Sequence, residues 1–334
     1  MTEHLNGAVR ALREACRGLP VTVEVFAGAI TGAVPAPERV VVLLPGGGLN
    51  ARASFTVGRH RSLVEYLSAH GRLAVGITPR EDTEDLAGAA DWGLAGHRTD
   101  VERVLALVEE HLPLPYEVLG HSAGAALALD LAAQPGCAAR RVLVLDTTGP
   151  YDPLTEPELV ARADALCTEF QRQLAEGGTV LDPGLKAAFE SPDDGAELRA
   201  RLTFALTRTN EVPGPANWIY HRGHSAGGDA LNLNVWSAAM AELGSGVQPI
   251  ALLRDLAAVW AGRADVYRID WSAIRADVVW INAEHGRGDH GLGARLIRSG
   301  GARVDYRVVA GLGHADVLWA GAAEKTVWPL LREA

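Results

Sequence analysis

The sequence predicts an α/β fold in which a mostly parallel central sheet has helices on both faces. Three observations lead to this prediction. Short apolar segments alternate with segments of helical spacing, the strand segments include continuous apolar runs, and no apolar stretch approaches the length of a membrane span. Strands that are apolar on both faces belong in the middle of a layered domain, between helices.

Seven segments have the character of buried strands. The first is rich in β-branched residues, and the second is a continuous apolar run that ends in glycines. In chain order the segments are VTVEVFAG (21–28), RVVVLLPGG (39–47), RLAVGI (72–77), YEVLG (116–120), RRVLVLD (140–146), ADVVWINAEHG (276–286) and RVDYRVVAG (303–311).

Helical segments lie before, between and after these strands. Residues 4–17 repeat apolar side chains every three or four positions, which predicts a short helix packed on the body, or alternatively an arm for dimerisation or docking. Helical spacing recurs in residues 97–112. The segment AGAALALDLAAQ after the fourth strand consists mostly of strong helix formers, and further helices are predicted after the sixth and seventh strands.

The alternation of strands and helices stops near Gly149 and resumes at Ala276. The sequence between them is mostly helical and acidic, with breaks at proline and glycine. The simplest organisation is one α/β body, residues 1–149 and 276–334, interrupted by a helical lid or cap at residues 150–275. Most aromatic residues of this insertion are expected to form its own core, and some to line an apolar pocket. Its tryptophans are Trp218, Trp236, Trp260 and Trp271.

Composition argues against several classes of protein. The chain has 334 residues and a net charge of −10, which argues against a nucleic-acid partner and mildly against an anionic membrane surface. Three cysteines, Cys16, Cys137 and Cys167, are too sparse for a disulfide framework or a zinc site. The first residues lack the apolar run of a signal peptide. Together these features favour a cytoplasmic protein.

The segment Gly120-His121-Ser122-Ala123-Gly124 matches the G-x-S-x-G pattern between a predicted strand and a predicted helix. In that context the pattern indicates a nucleophile elbow, a sharp turn that strains the serine and lifts its Oγ clear of the sheet. The sequence therefore predicts Ser122 as a nucleophile. The same five letters recur at 223–227, but the flanking segments are a poor strand and a poor helix start, so Ser225 is predicted to be a loop residue.

The second predicted strand ends in three consecutive glycines, Gly46, Gly47 and Gly48. An elbow serine works with two backbone N–H groups that bind an oxyanion, one from the residue after the nucleophile and one from a loop after an earlier strand. The sequence predicts Ala123 and Gly47 as these donors. A phosphate-binding loop is the competing interpretation, but neither a GK[ST] ending nor a G-x-G-x-x-G pattern is present.

A base and an acid are needed to activate the serine. His314 follows the last predicted strand in a glycine-rich turn and is predicted to be the base. Asp146 ends the strand that follows the elbow helix, which places it at the carboxyl edge of the sheet beside the nucleophile. The sequence favours Asp146 as the acid. It leaves open Asp289, Glu284 or no acid at all, with Gly286 at the usual position after the sixth strand.

The same glycine-rich segment contains three residues that could be considered as metal ligands, His285, Asp289 and His290. Polar residues in such a loop are more often solvated than ligating. The sequence therefore predicts no metal site, and it indicates no cofactor.

The stretch GHSAGAALALDLA, followed by VLVLDTTGP, resembles the terminal thioesterase domains of polyketide and nonribosomal peptide synthases, which belong to the α/β-hydrolase superfamily. The resemblance covers roughly 36–150 and 276–332. It implies the α/β-hydrolase fold with an inserted helical lid. It also implies a catalytic triad in which Ser122 is the nucleophile, Asp146 the acid and His314 the base.

These observations predict a serine hydrolase that acts through an acyl-Ser122 intermediate on an ester or thioester. A thioesterase-like enzyme would release or cyclise a natural-product acyl chain, and its partner would be a small acyl substrate, free or bound to a carrier protein. The long insertion, the lack of a preceding carrier domain and the acidic charge also fit a stand-alone esterase. The alternative class is a hydrolase-fold protein that binds a ligand, or cyclises or eliminates it, without hydrolysis.

Overall fold

A computed structural model of the protein describes residues 2–26, 35–58, 60–82, 85–182, 186 and 233–333. Its strands are β1 (Thr22–Phe26), β2 (Arg39–Leu44), β3 (Arg72–Thr78), β4 (Tyr116–His121), β5 (Arg141–Leu145), β6 (Val180–Leu181), β7 (Gln248–Pro249), β8 (Asp277–Ala283) and β9 (Val304–Val309).

The helices are α1 (Thr2–Ala15), α2 (Ala51–Phe55), α3 (Leu63–Ala69), α4 (Leu94–His111), α5 (Ala123–Ala132), α6 (Pro157–Ala175), α7 (Leu233–Ala241), α8 (Ile250–Ala261), α9 (Leu292–Ser299), α10 (Asp316–Trp319), α11 (Ala323–Thr326) and α12 (Leu330–Glu333). None of the helices in the described part of the chain combines the length and apolarity needed to span a bilayer.

One sheet of seven strands, in the order β1-β3-β2-β4-β5-β8-β9, forms the centre of the molecule. All neighbouring pairs are parallel except β1 and β3, which are antiparallel at the edge. The predicted mostly parallel sheet with helices around it is therefore confirmed. The antiparallel edge strand also explains why β1 is half exposed, with Glu24 at its centre.

The apolar strands are buried because both faces of the sheet are covered. Along β2, Val40, Val42 and Leu44 point into one apolar cluster, while Val41 and Leu43 point into the other. All five are at most 1% exposed. A continuous apolar run is what such a strand requires, because successive side chains enter opposite cores.

The amino-terminal helix α1 packs on the body. Val9, Leu12 and Cys16 are buried in the same cluster as Val25 of β1. Arg13 donates a hydrogen bond from Nη2 to the carbonyl of Val25 at 2.8 Å, which ties the helix to the edge strand. The apolar spacing predicted from the sequence therefore corresponds to a buried helix face.

Within residues 150–275, the structure describes α6, α7, α8 and the short strands β6 and β7. These two strands pair with each other and, among the described residues, no strand of this range joins the seven-stranded sheet. Helices α6 and α8 pack together. The assignment of residues 150–275 as a separate lid remains a prediction, and Trp218 and Ser225 lie outside the described residues.

Candidate active site

Ser122 lies in the turn between β4 and α5, with φ 55° and ψ −118°. A positive φ is costly for a residue with a side chain, and such strain persists only where the surroundings hold it. Here the backbone N–H of Ser122 donates to the carbonyl of Leu145 in the neighbouring strand at 3.0 Å. This bond and the start of α5 fix the turn, so the hydroxyl projects from the carboxyl edge of the sheet.

The glycines of the motif have a steric role. A Cβ on Gly120 would collide with the backbone of Gly124, because strand and helix cross in direct contact. A Cβ on Gly124 would collide with the carbonyl oxygens of Leu44 and Pro45, which end β2. Both positions therefore require glycine, and the G-x-S-x-G spacing follows from how closely the elbow helix approaches two strands.

The structure brings together the three residues predicted from the sequence. His314 Nε2 lies 2.9 Å from Ser122 Oγ, and His314 Nδ1 lies 2.5 Å from Asp146 Oδ2. Since Asp146 can accept a hydrogen bond from the Nδ1–H group, the Nε2 lone pair is left to accept a hydrogen bond from the serine hydroxyl. His314 is 3% exposed and Asp146 is fully buried, so this array is shielded from solvent except at the serine.

Asp146 is held from several sides. Its Oδ1 accepts hydrogen bonds from the backbone N–H groups of Ala283 at 2.7 Å and Arg287 at 3.1 Å. Its own N–H donates to the carbonyl of Ile281 at 2.8 Å, and its φ is 47°. Burial raises the pKa of Asp146 to about 6, although the backbone donors and the charge of Arg287 oppose this rise. The geometry orients the carboxylate toward His314.

The other candidate acids lie elsewhere in the loop after β8. The carboxylate of Glu284 is half exposed and accepts a hydrogen bond from the N–H of Gly311 at 2.8 Å. Asp289 is exposed. At Gly286 a Cβ would collide with the carboxylate of Asp146. The loop therefore passes directly against Asp146. Position 286, where many hydrolases of this fold carry the acid, has no room for a side chain in this protein.

His121 supports His314 from beneath the elbow. It is 3% exposed, its Nε2–H donates to the carbonyl oxygen of His314 at 3.0 Å, and the two ring centroids are 4.7 Å apart. Burial, followed by the proximity of His314, lowers the pKa of His121 to about 3. It is therefore neutral near pH 7, which avoids placing a second positive charge beside the base.

The predicted oxyanion donors lie side by side next to Ser122. A Cβ built on Gly47 would be 3.6 Å from the Cβ of Ala123, and one on Gly46 would be 3.3 Å from the Cβ of Ser122. Ala123 opens α5, where backbone N–H groups have no acceptor within the helix. Gly48 has φ 74°, a conformation that favours glycine. The loop can thus turn its backbone toward the elbow.

Sequence reasoning missed Gln248, which packs over this glycine loop from β7. Its Oε1 is 3.3 Å from the position of a Cβ on Gly47, and its Nε2 is 3.2 Å from that of a Cβ on Gly48. A glutamine followed by proline matches no catalytic motif, and the position lies 126 residues beyond Ser122 in the predicted insertion. No signal in the sequence links it to the loop.

A cavity of about 160 Å³ opens at Ser122 and is mainly apolar. The predicted insertion contributes Trp236, Leu253, Leu256 and Trp260 to its wall, facing Leu318 and Trp319 from the body. The rings of Trp236 and Trp319 meet edge to face with centroids 4.9 Å apart. Such a pocket suits an apolar group attached to a carbonyl at the serine.

The residues considered as metal ligands have other contacts. His290 pairs with Glu156 through Nδ1 and packs its ring against the edge of Tyr151, while His285 Nε2 lies 3.5 Å from Glu284. Within the described ranges, no group of three or more histidine, cysteine, aspartate or glutamate side chains is placed to hold a metal ion. His290 is therefore hydrogen-bonded to Glu156 and half-buried rather than a solvated loop residue.

No protein-family model matches the sequence, and no curated protein matches it. Solved structures do match. A carboxyl esterase from Bacillus coagulans, solved with glycerol, aligns with a TM-score of 0.58 at 15% identity, over 93% of each chain. A lipase in its open form gives 0.53 at 16% identity, over 89% of this chain and 91% of the other.

A third match is E-2-(acetamidomethylene)succinate hydrolase, with a TM-score of 0.52 at 15% identity, over 93% of this chain and 94% of the other. Together with the sheet described above, these similarities show that the chain has the α/β-hydrolase fold. At this level of identity they show the fold alone. The closer likeness to thioesterase domains remains a prediction.

Proposed function

We propose that the protein is a serine hydrolase that cleaves a carboxylic ester or thioester through an acyl-Ser122 intermediate. The observation that carries this proposal is the hydrogen-bonded array from Ser122 through His314 to Asp146 at the mouth of an apolar cavity. Nucleophile, base and orienting acid are the three groups that acyl transfer requires, and function is better argued from such a site than from a fold.

In the first step Ser122 Oγ attacks the carbonyl carbon of the substrate while His314 Nε2 accepts the hydroxyl proton. Asp146 keeps the Nδ1 proton in place and stabilises the imidazolium that forms. As the tetrahedral intermediate collapses, the bond to the leaving alcohol or thiol breaks, and His314 returns the proton to the leaving group. The acyl group is then esterified to Ser122.

The oxygen that becomes negatively charged is bound by the backbone N–H groups of Gly47 and Ala123. Support comes from their adjacency at Ser122 and from the position of Ala123 in the first turn of α5, where the helix dipole favours negative charge. Removal of one such donor typically costs about 2.7–4 kcal/mol in the transition state.

In the second step a water molecule gives a proton to His314 and attacks the acyl carbon. The bond from that carbon to Ser122 Oγ then breaks, His314 returns the proton to Ser122 Oγ, and the acid is released. An internal hydroxyl or amine of the acyl chain in place of water would cyclise the product, as the thioesterase resemblance implies. Both outcomes use the same residues. Residues 150–275 act in this proposal as the lid, because Trp236, Leu256 and Trp260 line the cavity from that range.

Hydrolysis of p-nitrophenyl butyrate and of the butyryl thioester of N-acetylcysteamine tests the proposal. Ser122→Ala should lower turnover of both substrates by a factor on the order of 10⁶, because nucleophile and base act as a unit. Ser225→Ala is the matched control and should stay within a few-fold of the parent protein. Equal turnover by Ser122→Ala and the parent protein would contradict the proposal. A ligand-binding protein without acyl transfer would turn over neither substrate.

A further inference from the structure

Arg287 is an unexpected residue in the wall of the cavity at Ser122. Arg287 lies in the loop after β8, the same loop that binds Asp146 through a backbone N–H group. It lines the cavity and is only 7% exposed. The guanidinium carbon lies 4.8 Å from the centre of the Trp260 ring. This cation–π contact holds the guanidinium against a second residue of the cavity wall.

The charge of Arg287 stands out against the rest of the wall. Among the described residues that line the cavity, Arg287 is the only ionisable side chain apart from His121 and His314. The remaining side chains are mostly leucine, tryptophan, alanine and glycine. Outside the cavity wall, Asp146 and Tyr151 lie within electrostatic reach of the guanidinium. Binding pockets use a single charged group of this kind to fix the orientation of a ligand.

We propose that Arg287 binds a carboxylate of the substrate, so that the substrates are esters or thioesters that carry a second, anionic group. This inference rests on the proposed hydrolase function and names its substrate class. Arginine suits this role because its rigid fork of five N–H donors matches a carboxylate with two parallel hydrogen bonds. The apolar wall then holds the chain between the carboxylate and the reacting carbonyl.

A second role for the same charge would be to stabilise Asp146, whose carboxylate lies within its electrostatic reach. The two roles predict different kinetics. A residue that acts only through Asp146 affects every ester equally, because the triad is common to all of them. A residue that binds the substrate carboxylate affects only the substrate that carries one.

The test compares two substrates that differ only in that charge, the mono-p-nitrophenyl ester of octanedioic acid and its methyl ester. Arg287→Gln should lower kcat/KM for the acid by about 10- to 100-fold more than for the methyl ester, the loss expected for hydrogen bonds to a charged group. Arg287→Lys should lie between, because it keeps the charge and loses the fork. The backbone N–H of residue 287 that holds Asp146 remains in both variants.

Arg295→Gln is the matched control, because this arginine is 55% exposed, pairs with Asp152 and is not among the described residues of the cavity wall. It should leave both rates unchanged.

An equal loss on both esters in Arg287→Gln would overturn the inference. If neither ester is cleaved, the proposed function fails, and calorimetry decides the inference separately. Octanedioate should bind the parent protein at least about 10-fold more tightly than Arg287→Gln, and no binding to the parent would overturn it.

Discussion

Asp146 occupies a position that fixes both its own ionisation and the orientation of His314. It is fully buried, yet both of its oxygens accept hydrogen bonds. A buried carboxylate that is so fully bonded is expensive to disturb, because removing one partner leaves the others unsatisfied. At the scale of single residues, the geometry of the candidate site therefore depends on this carboxylate.

Asp146→Asn tests which carboxylate orients the base. The amide can still occupy the site, but it favours the wrong imidazole tautomer, a change that costs about 10⁴ in turnover in a comparable triad. Asp289→Asn is the control, and its turnover should stay near that of the parent protein because Asp289 is exposed. A large loss in Asp289→Asn with normal turnover in Asp146→Asn would mean that the acid has been assigned to the wrong strand.

The raised pKa of Asp146 predicts the direction of the pH dependence. Below about pH 6 we expect this carboxyl to be protonated, so that it no longer offers a charged acceptor to the Nδ1–H group of His314. Because the active form is the deprotonated pair, kcat/KM should be at its maximum above this pH and fall as the pH decreases through it. A pH–rate profile between about pH 5 and 8 measures this limb, whose midpoint belongs to the pair. A flat profile down to about pH 5 would show that the pair ionises elsewhere.

At the scale of elements, the elbow depends on the close approach of α5 to β2 and β4. Gly124 lies where the helix touches the carbonyl groups that end β2, and any side chain there would push the two elements apart. Ser122 would move with the helix, since it precedes the first turn. We therefore expect changes at this contact to affect stability and turnover together.

Gly124→Ala should lower the free energy of unfolding by about 3 kcal/mol or more, the range of severe overpacking, and should abolish turnover. Urea unfolding measures the change. Gly7→Ala provides the comparison, because Gly7 lies in α1 with open space around the added methyl group. It should raise the free energy of unfolding by about 0.5–1 kcal/mol through helix propensity. An unchanged stability in Gly124→Ala would refute the steric explanation of the motif.

The sequence could predict the elements whose signals are local. The apolar run of β2, the turn at Ser122 and the position of Asp146 after β5 each follow from residues within one strand and its loop. The direction of β1 could not be predicted, because a half-exposed edge strand has the same composition whether it pairs parallel or antiparallel. Gln248 and Arg287 were missed because their contacts to the site are set by packing between distant segments.

At the scale of the whole molecule, the sheet order creates the site. Strands β4, β5, β8 and β9 are adjacent and parallel, so the loops at their carboxyl ends meet at one edge. Ligands of open α/β sheets bind at this edge. It brings Ser122 and His314 together across 192 residues of sequence, and it places the loop of β8 beneath Asp146. The arrangement explains how residues so far apart in sequence lie within hydrogen-bond distance.

The most direct test of the central claim is covalent labelling of the intact protein with a fluorophosphonate, followed by intact mass and peptide mapping. Such reagents react with serines that are activated by a neighbouring base. If Ser122 is the nucleophile, one adduct per chain forms on the peptide that contains Ser122, and none forms in Ser122→Ala. Labelling should be unchanged in Ser225→Ala. An adduct on the peptide that contains Ser225, or no adduct in the folded parent protein, would contradict this assignment.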